Sequence, residues 1–247
     1  MRRRFVLLAV ALAPLLGPAS LRAEAPLDRA RDLLTRYHQD VTRIDQARDL
    51  LEAELARERR VETLALLSRT YFLMGEVRST TDDEKLVAYA RGRELGQRAI
   101  ELGPRNEEAH VWYAINTGRW GQVKGVMRSL FLLPTVREEL DVIFGLNPRS
   151  VRGHALAGNV FFEVPGLLGG DRQKAEQHYR KALEIDPRFT VVRIDLARLL
   201  IASGRQAEAR RELTRVVDET APSDVAGWTV KDVPRARQLL ESIKGRD

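Results

Sequence analysis

Four prolines close four similar phrases in this chain: ELGPRN at Pro104, GLNPRS at Pro148, EIDPRF at Pro187 and ETAPSD at Pro222. Proline lacks a backbone N–H and its ring clashes with the preceding turn, so each phrase marks a place where a helical run has stopped. Successive marks lie 44, 39 and 35 residues apart. A recurring unit of that length points to an array of helix pairs, because one pair cannot bury its apolar face without stacking on a neighbour. Composition agrees. Aromatic residues make up 6% of the chain and charged residues 31%, which suits solvated amphipathic helices better than a strand-rich sandwich. The expected fold is therefore all-α, a right-handed solenoid of about four helix pairs with insertions and terminal capping helices.

The clearest unit begins at Val151. His154, Ala157, Gly158 and Phe161 occupy the W-x2-L-G-x2-Y slots, and Ala175, Tyr179, Ala182 and Pro187 complete the second half of the signature. In this reading the small residues let two antiparallel helices approach closely, while Phe161 and Tyr179 fill the seam. The next unit uses Leu196, Ala197, Leu200, Ala209, Leu213 and Val216 and turns at Ser203-Gly204. An earlier unit places His110, Tyr113 and Ala114 in its first helix and Val136, Leu140 and Ile143 in its second, with an insertion of about ten residues between them. The most degenerate unit pairs VETLALLSRTYFLMG with DEKLVAYARGRELGQRAIELGP across the polar loop EVRSTTDD, with Gly92 and Gly96 in its small-residue slots. Over most of residues 60–220 the chain resembles the tetratricopeptide superfamily. Its expected organisation is a signal peptide over 1–25, capping helices over 26–60, repeats over 61–222 and a C-terminal capping helix over 223–247.

The first 25 residues carry three arginines, an apolar run from Phe5 to Leu16 and the small-residue pattern Ala23-Glu24-Ala25. That is the layout of a secretory signal. The run is short for a membrane span, which takes about 20 residues; an uncleaved anchor is the alternative, and Arg2-Arg3-Arg4-Phe5 leaves twin-arginine export open. After cleavage the chain is expected to be periplasmic or secreted, without a stable membrane span. The chain has no cysteine, which excludes disulfides, a thiolate nucleophile and a lipid-modified cysteine. Half of the formal charge of +6 resides in the signal, since Arg2, Arg3, Arg4 and Arg22 face only Glu24 there. Basic and acidic residues then alternate, and nucleic acid is not an expected partner.

No catalytic constellation is present: there is no G-x-S-x-G elbow, H-E-x-x-H helix or Gly-rich nucleotide loop. The chain is read as a non-enzyme without cofactor or metal. Gly169-Gly170-Asp171 is read as the hinge between two helices of one repeat, Asp171 capping the second. A phosphate cradle would need a preceding strand and a lysine in Walker order. His110 and His154 share one slot in successive repeats and are assigned to packing, because no acidic residue recurs beside them at ligand spacing. His38 and His178 fall on charged helical segments and carry no assignment.

The stretch GHALAGNVFFEVPGLLGGDRQKAEQHYRKALEIDP also resembles the T component associated with TRAP transporters, matching at Gly169, Gly170, Asp171, Ala175, Tyr179, Ala182 and Leu183. AHVWYAINTG and GLNPRS resemble the related regulator of microtubule dynamics proteins, whose cytoskeletal role an exported chain would not share. The repeat resemblance implies a concave groove built from the first helix of each pair, here Arg69, Phe72, Val111, Ile115, Arg152, Asn159, Phe162, Glu163, Ile194 and Arg198. Such a groove suits a peptide segment or an amphipathic organic acid, with arginine as a forked donor for carboxylate. The implied function is a periplasmic interaction scaffold; the alternative is an accessory to TRAP-type solute uptake, partnered by a solute-binding protein. The transporter resemblance also leaves homo-oligomers open.

Overall fold

The computed structural model describes residues 25–245, so all but the last residue of the expected signal peptide lies outside the described residues. The described chain is helical, and no strand occurs among the described residues. Its helices are α1 (Pro26–Thr35), α2 (Arg43–Arg57), α3 (Val61–Leu73), α4 (Asp82–Leu102), α5 (Glu107–Lys124), α6 (Val126–Leu146), α7 (Val151–Glu163), α8 (Arg172–Ile185), α9 (Thr190–Ala202), α10 (Gln206–Val217), the short α11 (Val225–Gly227) and α12 (Val233–Ser242). The proline phrases perform two tasks at once. Each follows a helix end, and the residue two places after the proline begins the next helix: the Asn106 side chain accepts from the Ala109 amide and the Ser150 hydroxyl from the Gly153 amide. Phe189, third in the series, has no side chain that could cap and makes no such bond.

Two expectations about loops are corrected. The insertion in the unit beginning at Glu107 is not a loop; it lengthens both helices, α5 to 18 residues and α6 to 21, against 13 and 14 for α7 and α8. A single residue, Gly125, makes the turn with φ 101°, a conformation that side chains other than glycine's disfavour. The polar stretch EVRSTTDD is also largely wound: Met74–Arg78 continues α3 as a wide π turn, and a Thr81–Glu84 capping box starts α4.

Small residues set the helix spacing as the signature requires. A Cβ on Gly158 would stand 2.4 Å from the Tyr179 ring, and one on Gly96 would stand 2.9 Å from the Tyr113 backbone. Gly96 is thus integral to the unit whose signature is weakest. Two large cores result. The N-terminal one holds Leu34, Tyr37, Ile44, Leu51, Leu67 and Leu95; the C-terminal one holds Tyr179, Ile194, Leu196, Leu199, Leu200 and Leu213.

The C-terminal segment joins them. Ala226 of α11 is buried in the N-terminal core, whereas Ala236 of α12 and Ile243 are buried in the C-terminal core. Between them the chain passes through a π turn at Trp228–Asp232. The indole N–H of Trp228 donates to the Val216 carbonyl at 2.7 Å, the Thr190 hydroxyl donates to Asp232 at 2.7 Å, and Lys231 pairs with Glu76. The array therefore closes on itself, its end laid across the concave side of its beginning.

Candidate functional site

Closure of the array bounds a partly open cavity of about 190 Å³ between α5, α7 and α9 on one side and residues 224–235 on the other, with Tyr37 and Phe72 at the N-terminal end. This is room for on the order of ten waters, well beyond a packing flaw. The helical period selects the inner faces: Ile115, Arg119 and Gln122 from α5; Arg152, Asn159 and Glu163 from α7; Val191, Asp195 and Arg198 from α9. The C-terminal segment adds Asp224, Lys231, Asp232 and Arg235.

Most of these charges already have partners. Arg198 lies 2.8 Å from Glu163 and 3.5 Å from Asp195, whose carboxyl is pushed up by burial. Asp232 is likewise pushed up by burial, to about 6, against the opposing bond from Thr190. Glu76 meets Arg119 at 3.3 Å as well as Lys231. Burial alone would raise the Glu76 carboxyl, but Arg119, Lys231 and the Tyr89 hydroxyl together hold it down at about 2.

The exception centres on Trp112. The guanidinium of Arg152 lies 5.5 Å from its ring and that of Arg69 lies 5.8 Å from it. Arg152 also lies over Phe189 at 5.7 Å and has Glu108 at 3.6 Å. Arg69 has no hydrogen bond or ion pair among the described residues. Burial, and then the proximity of Arg152, pulls its pKa down. Two guanidiniums thus converge on one indole, whose N–H donates to Glu108 at 2.6 Å; Glu108 and Asp224 act against the lowering of Arg69 without forming an ion pair with it, and an anion entering between Arg69 and Arg152 would relieve their mutual repulsion.

Of the residues assigned to a groove, the structure brings Phe72, Ile115, Arg152, Asn159, Glu163 and Arg198 together on the cavity wall, with Arg69 beside it against Trp112. Three assignments are corrected. Val111 is 1% exposed and packs with Trp112 and Ile143, covered by Phe72. Ile194 is 0% exposed in the C-terminal core: it lies one position before Asp195, about 100° around the helix from the cavity face. Phe162 turns to the C-terminal core beneath the Arg198 guanidinium. Asn159 accepts from the Tyr179 hydroxyl at 2.7 Å, so its amide is oriented by the repeat seam. The sequence reading missed Trp112, Arg119 and Asp195, which the 3.6-residue period from Ile115 and Arg198 could have found. It also missed Lys231, Asp232 and Arg235, because nothing local says that the tail folds back.

Gly169-Gly170-Asp171 forms a hinge in the structure. Gly169 has φ 93°, a Cβ on Gly170 would lie 1.7 Å from the Val164 carbonyl oxygen, and Asp171 accepts from the Gln173 and Lys174 amides at the start of α8. Arg137 donates to the Leu168 carbonyl at 3.1 Å. The preceding VPGLL touches α6 through this bond and through the groove that Val164 and Pro165 line, while its Leu167 side chain is fully exposed.

The shared histidine slot has a structural role that the sequence hid. Six residues after each of three prolines, a side chain bonds back to the proline carbonyl: His110 to Pro104 at 3.0 Å, His154 to Pro148 at 3.2 Å and Arg193 to Pro187 at 2.7 Å. Each also meets a residue on the second helix of its repeat: Glu139 at 2.6 Å, His178 at 3.0 Å and Glu212 at 2.6 Å. The middle repeat thus has two imidazoles where its neighbours have an acid. His178, unassigned from sequence, stacks on Phe161 and Phe144 beside His154. Burial lowers both pKa values, and for His178 the proximity of His154 lowers it further.

Stacked helix pairs with glycine and tyrosine at the seam define a protein of the tetratricopeptide-repeat class. A tetratricopeptide-repeat profile matches residues 167–231. A thermophilic TPR protein of Thermus thermophilus superposes with a TM-score of 0.66, covering 89% of this chain and 99% of that one at 22% identity, which establishes the shared fold. Within that class the profile described as regulator of microtubule dynamics protein 1-3 matches residues 27–168, more than half of the chain, and the protein belongs to this family. Regulator of microtubule dynamics protein 3 of Rattus norvegicus is 27% identical over 180 residues, 66% of this chain and 38% of that protein. Regulator of microtubule dynamics protein 1 of Mus musculus is 24% identical over 143 residues, 52% of this chain and 47% of that protein. The match thus spans less than half the length of these relatives. The resemblance to the TRAP-associated T component gains no support from these matches.

Proposed function

We propose that the protein is a non-catalytic scaffold that holds a short acidic segment of another protein in its concave cavity. The observation that carries this reading is the pair of guanidiniums, Arg69 and Arg152, gathered on Trp112 beside the cavity, with Arg69 in no ion pair among the described residues. Arginine presents planar paired donors to a carboxylate, and the aromatic faces of Trp112, Phe72 and Phe189 offer apolar area beside them. Acting outside the cytoplasm is part of the proposal and rests on the N-terminal sequence alone. The relatives' named role in microtubule dynamics is not carried over, because an exported chain would not meet microtubules.

The test is a fluorescence anisotropy titration with labelled acidic, neutral and basic peptides. Saturable binding of acidic peptides, lost in Arg152→Glu and kept in the remote surface variant Lys85→Glu, supports the reading. Equal binding by Arg152→Glu, or no preference for acidic peptides, contradicts it. A second reading, relay of a small organic acid beside a transporter, is favoured by the modest size of the cavity. Saturable heat of succinate binding in a calorimetric titration, without any peptide binding, would select it.

A further inference from the structure

The first half of α6 breaks the rule that governs the other helices. A surface helix of a water-soluble protein is apolar on one side, whereas Val126 to Val136, VMRSLFLLPTV, is apolar all round apart from Arg128, Ser129 and Thr135. Its inner side packs through Val136 and then Leu140 and Ile143. Its outer side leaves Val126 71%, Met127 81% and Phe131 74% exposed. Across a groove of about 250 Å³ that reaches Val164 and Pro165 stands the fully exposed Leu167. The apolar residues sit at the tip of the longest hairpin, beside the one-residue turn at Gly125.

The hairpin tip itself carries charge of one sign, with Glu163 of α7 on the far wall of the groove. From Ala109 to Arg137 the sequence contains no aspartate or glutamate, while Arg119, Lys124, Arg128 and Arg137 fall within it. Lys124 and Arg128 form no ion pair among the described residues; both lie over the Trp120 ring, at 5.7 and 5.9 Å, and Arg128 also over Phe131 at 5.8 Å. A half-buried tryptophan with unpaired bases above exposed Met and Phe is the composition that lies in a lipid headgroup region: the apolar tips enter, the indole sits at the boundary and the bases meet phosphates. A protein partner would be expected to offer matching acids in a fixed geometry, whereas here the bases are held only by aromatic faces. Among the described residues no helix is long and apolar enough to cross a membrane.

We infer that the α5–α6 hairpin tip is a peripheral membrane-docking surface, with an anionic phospholipid bilayer as its occupant. The test is flotation of the full chain with phosphatidylcholine vesicles containing or lacking phosphatidylglycerol. The wild type is expected to float with the anionic vesicles and to bind the neutral ones at least about tenfold more weakly, with added salt releasing it. Met127→Ser/Phe131→Ser and Lys124→Glu/Arg128→Glu, both confined to exposed side chains, are each expected to weaken binding by about tenfold or more with unchanged melting temperature. Failure of the wild type to float, or flotation of both variants at wild-type levels, overturns the inference. So does a wild-type dimer in solution that the same substitutions dissociate, since the patch would then belong to a second copy.

Discussion

Lys231 reaches across the array to form an ion pair with Glu76, 155 positions earlier in the chain. The same carboxylate receives the Tyr89 hydroxyl at 2.8 Å and faces Arg119 at 3.3 Å. One largely buried acid thus ties together the second helix pair, the long hairpin and the C-terminal segment. That is why the concave side becomes a bounded cavity instead of an open groove.

Removing this acid leaves two cations without their partner. Glu76→Ala is expected to destabilise the fold by about 3 kcal/mol and to loosen residues 224–235 first, seen as faster amide exchange there. The pH sign follows from the depressed pKa: with the folded value near 2 and the ordinary value 4.5, the contribution is complete above about pH 4.5 and is lost as pH falls toward 2. A denaturant-midpoint series over that range checks it, and the slope should flatten in the variant.

The two imidazoles of the middle repeat act in a higher window. Both His154 and His178 are lowered from 6.5 by burial, so the unfolded chain takes up protons first and stability declines as pH drops below about 6.5. Lys181 and Glu184 also act on His154, in opposite directions. His178→Glu restores the acid that the neighbouring repeats carry. It is expected to reverse the trend: a His154 pKa raised above 6.5 gives stability that is present below that pH and lost as pH rises through the folded value. Melting temperatures measured across that range for both proteins decide this.

Close helix approach in the signature repeat makes a steric prediction. Gly158→Ala places a methyl group 2.4 Å from the Tyr179 ring, and overpacking of this kind costs about 1–3 kcal/mol. Tyr179→Phe removes only the hydroxyl bond to Asn159 and is expected to cost about 1 kcal/mol. Urea unfolding ranks the two.

At the hinge, Asp171→Ala removes the side chain that accepts from two amides of α8, with an expected cost of about 1 kcal/mol. Asp171→Asn is expected to recover most of it. Thermal unfolding of the pair separates a cap from a ligand-contacting turn.

The repeat architecture was legible because its determinants are local: the proline phrases end helices, Gly158 and Ala175 permit close approach, and Asp171 caps α8. The cavity was half legible. Periodicity from Arg152 gives Asn159 and Glu163 on one face, but Val111 and Ile194 went astray because a signature slot says nothing of which neighbour will cover it. The closure was not legible at all. Ala226, Lys231 and Asp232 act through contacts with residues far earlier in the chain, and no local pattern encodes a partner at that separation.

The claim that an acidic segment occupies the concave cavity is tested most directly by amide hydrogen exchange with and without a saturating acidic peptide. The account predicts added protection on α3 around Arg69, on α5 around Trp112 and Ile115, on α7 from Arg152 to Glu163 and across residues 224–235. Protection confined to α4, α8 or α10, on the far side of the helix pairs, or no added protection despite saturation, would contradict it.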